Sequence, residues 1–169
     1  MSEKRVLVTG STGCIGAHAV GILLEEGCRV FGFNRKPPAE IPIGYEHIEG
    51  DLSEKQSIES ALEKTKPTHI LHLGALQTPD CRDYPIRGLD VNVLGTAYLF
   101  KSCLKMDLSL ERFVFASSTA VNGPRELYGK DGVHPEDPLQ PFNLYGYWKI
   151  AGEGMAQAYH QESGVSTVS

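Results

Sequence analysis

The chain has 169 residues, 41% hydrophobic and 22% charged, which suits one globular domain with a real core and excludes extended disorder. A formal net charge of -5 argues against a nucleic-acid surface. No apolar run approaches the roughly 18 residues of a membrane span. Residues 1–5 lead into a strand without a signal-peptide core. Cys14, Cys28, Cys81 and Cys103 have neither metal nor disulfide spacing. A reducing compartment, the cytoplasm, is the expected setting.

In chain order, the β-branched run at 5–9 predicts a strand. The spacing of Ile15, Ala19, Ile22 and Leu23 predicts a helix over 13–26, with Gly27 placed to end it. Residues 29–33 read as a second strand whose continuous apolar run (Val30, Phe31, Phe33) suits burial on both faces. A proline-rich loop at 34–42 leads to a third strand at 45–49. Ser53-Glu54-Lys55-Gln56 carries a capping-box signature for a helix ending near Lys64. Pro67 precedes a fourth strand at 69–73, followed by a loop at 74–85 and one long helix at 87–106. A fifth strand at 112–117 leads to a Gly/Pro-rich loop at 122–141, long enough to border a site. A helix at 143–161, ended by Gly164, and a strand at 165–168 complete the chain. Strands alternating with helices imply an α/β fold: a doubly wound parallel sheet of Rossmann type, joined by right-handed crossovers and covered on both faces.

Four places carry chemistry. Gly10, Gly13 and Gly16 lie between the first strand and the first helix. That arrangement serves a sharp turn, close approach of backbone N–H groups to a diphosphate, and close helix packing. The open N–H groups and positive end of the helix would hold the diphosphate. At the end of the second strand, Asn34-Arg35-Lys36 offers cations where NAD-binding chains carry an acid for the ribose hydroxyl. A guanidinium there can hold a 2′-phosphate, which favours NADP, with NAD as the alternative. Tyr145 and Lys149 are four apart on one helix and share a face. An ammonium beside a phenol favours the phenolate, which suits a general acid/base, whereas Tyr147 lies off that face. Ser118 follows the fifth strand, where ligands of parallel sheets bind and a hydroxyl can meet a substrate oxygen.

Together these residues resemble the short-chain dehydrogenase/reductase superfamily, specifically its extended branch, the NAD-dependent epimerase/dehydratase family. The resemblance rests on Thr9-Gly10-Ser11-Thr12-Gly13-Cys14-Ile15-Gly16, Gly50-Asp51-Leu52, His72-Leu73-Gly74-Ala75, Asn92-Val93-Leu94-Gly95-Thr96, Phe115 through Gly123, and Tyr145-Gly146-Tyr147-Trp148-Lys149, in the family's order. It implies that Tyr145 moves a proton on or off a substrate hydroxyl while hydride passes to or from the nicotinamide. Lys149 would bind the nicotinamide ribose and tune Tyr145, and Ser118 would orient the reacting oxygen. Asp51 and Leu52 would contact the adenine, Leu73, Gly74 and Ala75 would line the cofactor, and Asn92 would support Lys149 through water. The substrate implied is a small molecule, a sugar or nucleotide sugar.

The chain departs from the family in three places. Thr119-Ala120 stand where nucleotide-sugar 4,6-dehydratases carry Asp-Glu, which disfavours that elimination. Asn122 stands where tyrosine is frequent, and Cys14 where a larger residue is frequent; a packed, inert thiol is the expected reading of Cys14, although a helix N-terminus can activate one. Family members continue for about as many residues again, into a C-terminal substrate domain, so the whole of 1–169 is expected to be an NAD(P)-binding Rossmann domain truncated before it. A non-catalytic dinucleotide-binding sensor or scaffold is the alternative to an enzyme. The resemblance also implies a homodimer packed through the helices at 87–106 and 143–161, with Leu94, Ala97, Tyr98 and Phe100 serving either that interface or the sheet. The histidines are scattered, with His69 and His72 on opposite faces of a strand, so no metal site is expected.

Overall fold

A computed structural model of the chain describes residues 3–106, 108–130 and 132–169. Met1 and Ser2, at the expected strand entry, and Asp131, in the expected 122–141 loop, lie outside them. The strands are β1 (Arg5–Thr9), β2 (Arg29–Asn34), β3 (Tyr45–Glu49), β4 (His69–His72), β5 (Arg112–Phe115) and β6 (Ser166–Val168). They pair in parallel in the order β3-β2-β1-β4-β5-β6. The doubly wound order therefore reverses between β1 and β4, where the strand ends part and leave a crevice.

Helix α1 (Cys14–Glu25) connects β1 to β2, and α2 (Lys55–Thr65) connects β3 to β4. The route from β4 to β5 passes through α3 (Thr78–Asp83), α4 (Pro85–Leu89) and α5 (Gly95–Lys105), and α6 (Leu144–Ser163) leads to β6. One sheet face carries the larger core. Leu7, Phe31, Ile70, Phe113 and Phe115 meet Ile58, Leu62, Leu99, Phe100 and Tyr159 from the helices. The rings of Phe100 and Phe113 lie 4.4 Å apart, so Phe100 serves the sheet and not an interface. The other face is covered where α1 packs, with Val6, Val8, Val30, Tyr45 and Val20 as its core. Farther along that face, Leu71 and Val114 are only half-buried, so the expected covering of both faces is partial.

Local structure departs from the sequence reading in three places. The helix after β3 is capped at Glu54, because the Ser53 N–H and hydroxyl both donate to Asp51 Oδ1, at 2.9 and 2.8 Å. A local side-chain turn has displaced the capping box. The stretch at 74–85, expected as a loop, contains α3. The long helix at 87–106 is interrupted by a π turn at Asp90–Leu94, where Gly95 N–H reaches back to Asp90 C=O. Gly95 is pressed on α2's approach segment: a Cβ there would lie 2.6 Å from Leu52 O. Single π turns of this kind frequently lie at functional sites. No helix among the described residues is long and apolar enough to cross a membrane.

Two glycines of α1 should respond oppositely to alanine. At Gly16 a Cβ would lie 2.1 Å from Gly10 O, so Gly16→Ala forces the turn apart at a cost of about 1–3 kcal/mol, or a melting temperature lower by about 2–12 °C. Gly21 meets nothing within 4 Å, and Gly21→Ala should stabilise by about 0.4–1 kcal/mol. Thermal unfolding of the two variants checks this; a loss at Gly21 equal to that at Gly16 would contradict it.

Candidate functional site

The glycine turn is built on contacts that no side chain could share. Gly10 has φ +71, and a Cβ on it would lie 2.8 Å from Gly74 Cα. Its N–H donates to Phe33 C=O at 3.2 Å, and its own carbonyl accepts from Gly13 N–H at 3.0 Å. Helix α1 then begins at Cys14 with Gly13 as an N-cap that offers no side-chain acceptor. The first intrahelical bond in this segment is Ala17 N–H to Gly13 C=O, so the N–H groups of Cys14, Ile15 and Gly16 precede the ladder. They face the crevice between β1 and β4 with the positive end of the helix behind them.

That crevice is a cavity of about 1070 Å³. Gly10, Thr12, Gly13, Cys14, Ile15 and Gly16 form one side of it. Asn34, Arg35, Lys36, Asp51 and Leu52 border it beyond β2 and β3, and Leu73, Gly74 and Ala75 beyond β4. Ser118, Tyr145 and Lys149 line the end beyond β5. Ser11 lies beneath the floor: its hydroxyl pairs with Tyr45 Oη at 2.8 Å and accepts from Asn34 Nδ2. Gly32 makes the room for that cluster, since a Cβ there would lie 1.9 Å from Tyr45 Oη. Asn34 Oδ1 also faces the Thr12 N–H at 3.4 Å, so this side chain braces the turn. Asp51 is held by Ser53, while Arg35 and Lys36 are exposed at the mouth. Neither cation is in an ion pair among the described residues.

Helix α6 places the other end of the cavity. Asn143 caps it by accepting from Gly146 N–H at 2.9 Å. Gly146 and Gly152 let the helix lie directly on Ala120 and on the Phe115 ring, where a Cβ would approach within 2.2 Å of each. Tyr145 and Lys149 are thereby buried, 7% and 5% exposed, whereas Tyr147 is 57% exposed and outside the cavity. Lys149 Nζ donates to Ala116 C=O at 2.6 Å and lies 4.9 Å from the Phe115 ring centre and 5.7 Å from that of Tyr145. Burial pulls the Lys149 ammonium down to about 8, against a smaller opposing effect of Cys81. The Ser118 hydroxyl accepts from Ala120 N–H at 3.2 Å, which leaves its own hydrogen free.

Asn92 is not at the cavity surface. Its amide accepts from Leu76 N–H at 2.8 Å and donates to Leu76 C=O at 2.9 Å, so it holds the chain after β4. Leu76, Gln77, Arg87 and Val91 also line the cavity, and nothing in the sequence periodicity marks them. Ser117 also lines it and donates to Glu153. Glu153 lies four residues beyond Lys149, a spacing that could have singled it out. Among the described residues, no group of three or more His, Cys, Asp or Glu side chains could hold a metal.

The chain is similar in sequence and fold to known proteins. The UDP-glucose 4-epimerase of Rhizobium leguminosarum bv. trifolii is 29% identical over 179 residues, covering 99% of this chain and 51% of the relative. The crystal structure of Thermus thermophilus UDP-glucose 4-epimerase in complex with NAD has 29% identity and a TM-score of 0.84 over 96% of this chain and 53% of that one. MoeE5 in complex with UDP-glucose and NAD has 32% identity and a TM-score of 0.79, over 96% and 51%. The chain spans about half the length of the curated relatives it matches. The profile of the NAD dependent epimerase/dehydratase family matches residues 6–169, and the chain belongs to that family.

Proposed function

We propose that this chain is the cofactor-binding part of an oxidoreductase or epimerase. It would move hydride between a nicotinamide dinucleotide and a secondary alcohol or ketone of a nucleotide sugar. The observation that carries the reading is that the glycine cradle and the set Ser118, Tyr145 and Lys149 line one cavity. The residues fit a dinucleotide: Cβ atoms would fill the cradle at Gly10 and Gly16, and three backbone N–H groups open onto it. The residues from Gly10 to Gly16 would hold the diphosphate, Asp51 and Leu52 the adenine, Leu73, Gly74 and Ala75 the middle, and Lys149 the nicotinamide ribose, with Tyr145 beside the nicotinamide. Relatives that hold NAD, and one that holds UDP-glucose, support the cofactor and substrate classes.

When bound, the dinucleotide supplies a carbon that takes up and returns hydride. The chain's own residues then handle the proton. Tyr145 takes it from the substrate hydroxyl on oxidation and gives it back on reduction. The Lys149 charge, fixed by Ala116 C=O, stabilises the phenolate between the two steps. The free hydrogen of Ser118 donates to the reacting oxygen. Thr119 and Ala120 supply no acid or base, which disfavours 4,6-elimination.

NADP is the preferred form. Asn34 is neutral and engaged with Ser11, while the unpaired cations Arg35 and Lys36 border the cavity, a pattern that suits a 2′-phosphate. A homodimer through α4, α5 and α6 goes with this function, with Leu94 of the intervening π turn and Tyr147 of α6 exposed and available to it.

Arg35→Ala should weaken NADPH binding about 10-fold or more and leave NADH within about twofold, as loss of a charge-assisted hydrogen bond requires. Parallel fluorescence titrations read this, and an equal loss for both nucleotides would contradict it. Tyr145→Phe should lower turnover of a UDP-hexose by about 10²–10⁴-fold with NADPH affinity nearly unchanged. Because Lys149 is charged only below its lowered value of about 8, the wild-type rate should fall as pH rises through that point. A rate flat across that range, or full activity in the tyrosine variant, would contradict the mechanism.

A further inference from the structure

Among the buried titratable groups that the mechanism does not use, His72 has polar partners on both edges of its ring. His72, on β4, is 2% exposed, and it lies between Thr9 of β1 and Thr96 of α5, which are 0% and 1% exposed. Thr9 Oγ1 is 2.6 Å from Nδ1, and Thr96 Oγ1 is 3.0 Å from Nε2. The outer bonds decide the inner ones. Thr96 spends its single hydrogen on Asn92 C=O at 2.8 Å, so it must accept from His72 Nε2–H. Burial, with a smaller contribution from the nearby Lys149 charge, pulls the imidazole down to about 3, so the ring is neutral and Nδ1 is an acceptor. Thr9 therefore donates to Nδ1, while its oxygen accepts from Gly74 N–H at 3.0 Å. The reverse assignment would leave the Thr9 hydrogen without an acceptor in this network.

Both ends of the chain of bonds reach the same short segment. On one side, Thr9 holds Gly74 N–H. On the other, Thr96 holds the backbone of Asn92 in the π turn, and the Asn92 amide holds both backbone groups of Leu76. Gly74, Ala75 and Leu76 line the same cavity as the glycine cradle and Lys149. We infer that His72 is a positioning residue: a strut in the single Nε2–H tautomer that sets the Gly74–Leu76 wall from both sides without touching the cavity. This takes the proposed site one layer deeper, and only its affinity consequence rests on the dinucleotide reading. A neutral histidine suits the place because it accepts on one edge and donates on the other across a fixed ring, with no buried charge to satisfy.

Three readouts on the full chain test the strut. In wild-type protein, a long-range proton–nitrogen correlation spectrum should show His72 Nδ1 unprotonated and Nε2 protonated. In His72→Phe, which fills the space without polar edges, amide hydrogen exchange at Gly74 and Leu76 should rise about tenfold or more relative to Val8 and Leu71. His72→Gln retains an N–H donor toward Thr96 and should restore part of the protection at Leu76. NADPH affinity should fall about tenfold in His72→Phe and less in His72→Gln. An Nδ1–H tautomer, or exchange that is unchanged or raised equally at all four amides, would overturn the strut. If the wild type shows the expected tautomer and exchange but takes up neither NADPH nor NADH, the dinucleotide reading fails while the strut stands.

Discussion

At the carboxyl ends of β1 and β4, two glycine backbones meet where a single methyl group would not fit. A Cβ on Gly10 would lie 2.8 Å from Gly74 Cα, and Gly10 also needs its positive φ to turn the chain there. The rest of the site depends on that approach. It lets Thr9 reach the Gly74 N–H, closes the floor of the crevice, and starts α1 directly over it. Gly16 then seats α1 against the Gly10 carbonyl, which fixes where the first N–H groups of the helix point. A larger residue at either position would tilt the helix and turn its positive end away from the cavity.

Much of this was legible in the chain itself, for physical reasons that can be named. The period-two and continuous apolar runs located all six strands, because a parallel sheet buried near its centre leaves little polar alternation. The spacing of four between Tyr145 and Lys149 placed both on one helix face, and the structure buries them together beside Ser118 and Ala116. What the chain did not reveal were features decided by tertiary contact. The π turn at Asp90–Leu94 leaves the hydrophobic stripe intact, so nothing in the spacing marks it. Ser53 carried a genuine capping signature, yet Asp51 captured its hydroxyl first. Asn92 was expected to support Lys149 through water; its amide pairs with both backbone groups of Leu76, a contact that nothing in the sequence spacing marks.

The polar groups buried in this protein are concentrated around the crevice. Thr9, Ser11, His72, Asn92, Thr96 and Lys149 are all buried there, and each is hydrogen-bonded. Lys149 is the costly member. Burial disfavours its ammonium, which keeps one carbonyl partner and the faces of two aromatic rings. With a folded value of about 8 against about 10.4 when unfolded, the unfolded chain binds more protons between those limits. The contribution of Lys149 to stability therefore rises with pH across that window, and at neutral pH the fold retains a charge it would be more stable without. Such a group, held at the end of a cavity by its own backbone, marks a site where position is maintained at the expense of stability.

Backbone amide chemical-shift mapping of the labelled chain during titration with oxidised NADP tests the proposed dinucleotide site most directly. The largest saturable changes should fall at Cys14, Ile15 and Gly16, where the diphosphate would sit, with further changes at Ala75 and Tyr145 along the same cavity. Saturable binding that leaves Cys14, Ile15 and Gly16 unperturbed, or no binding of oxidised NADP and none of NAD in a parallel titration, would contradict this site.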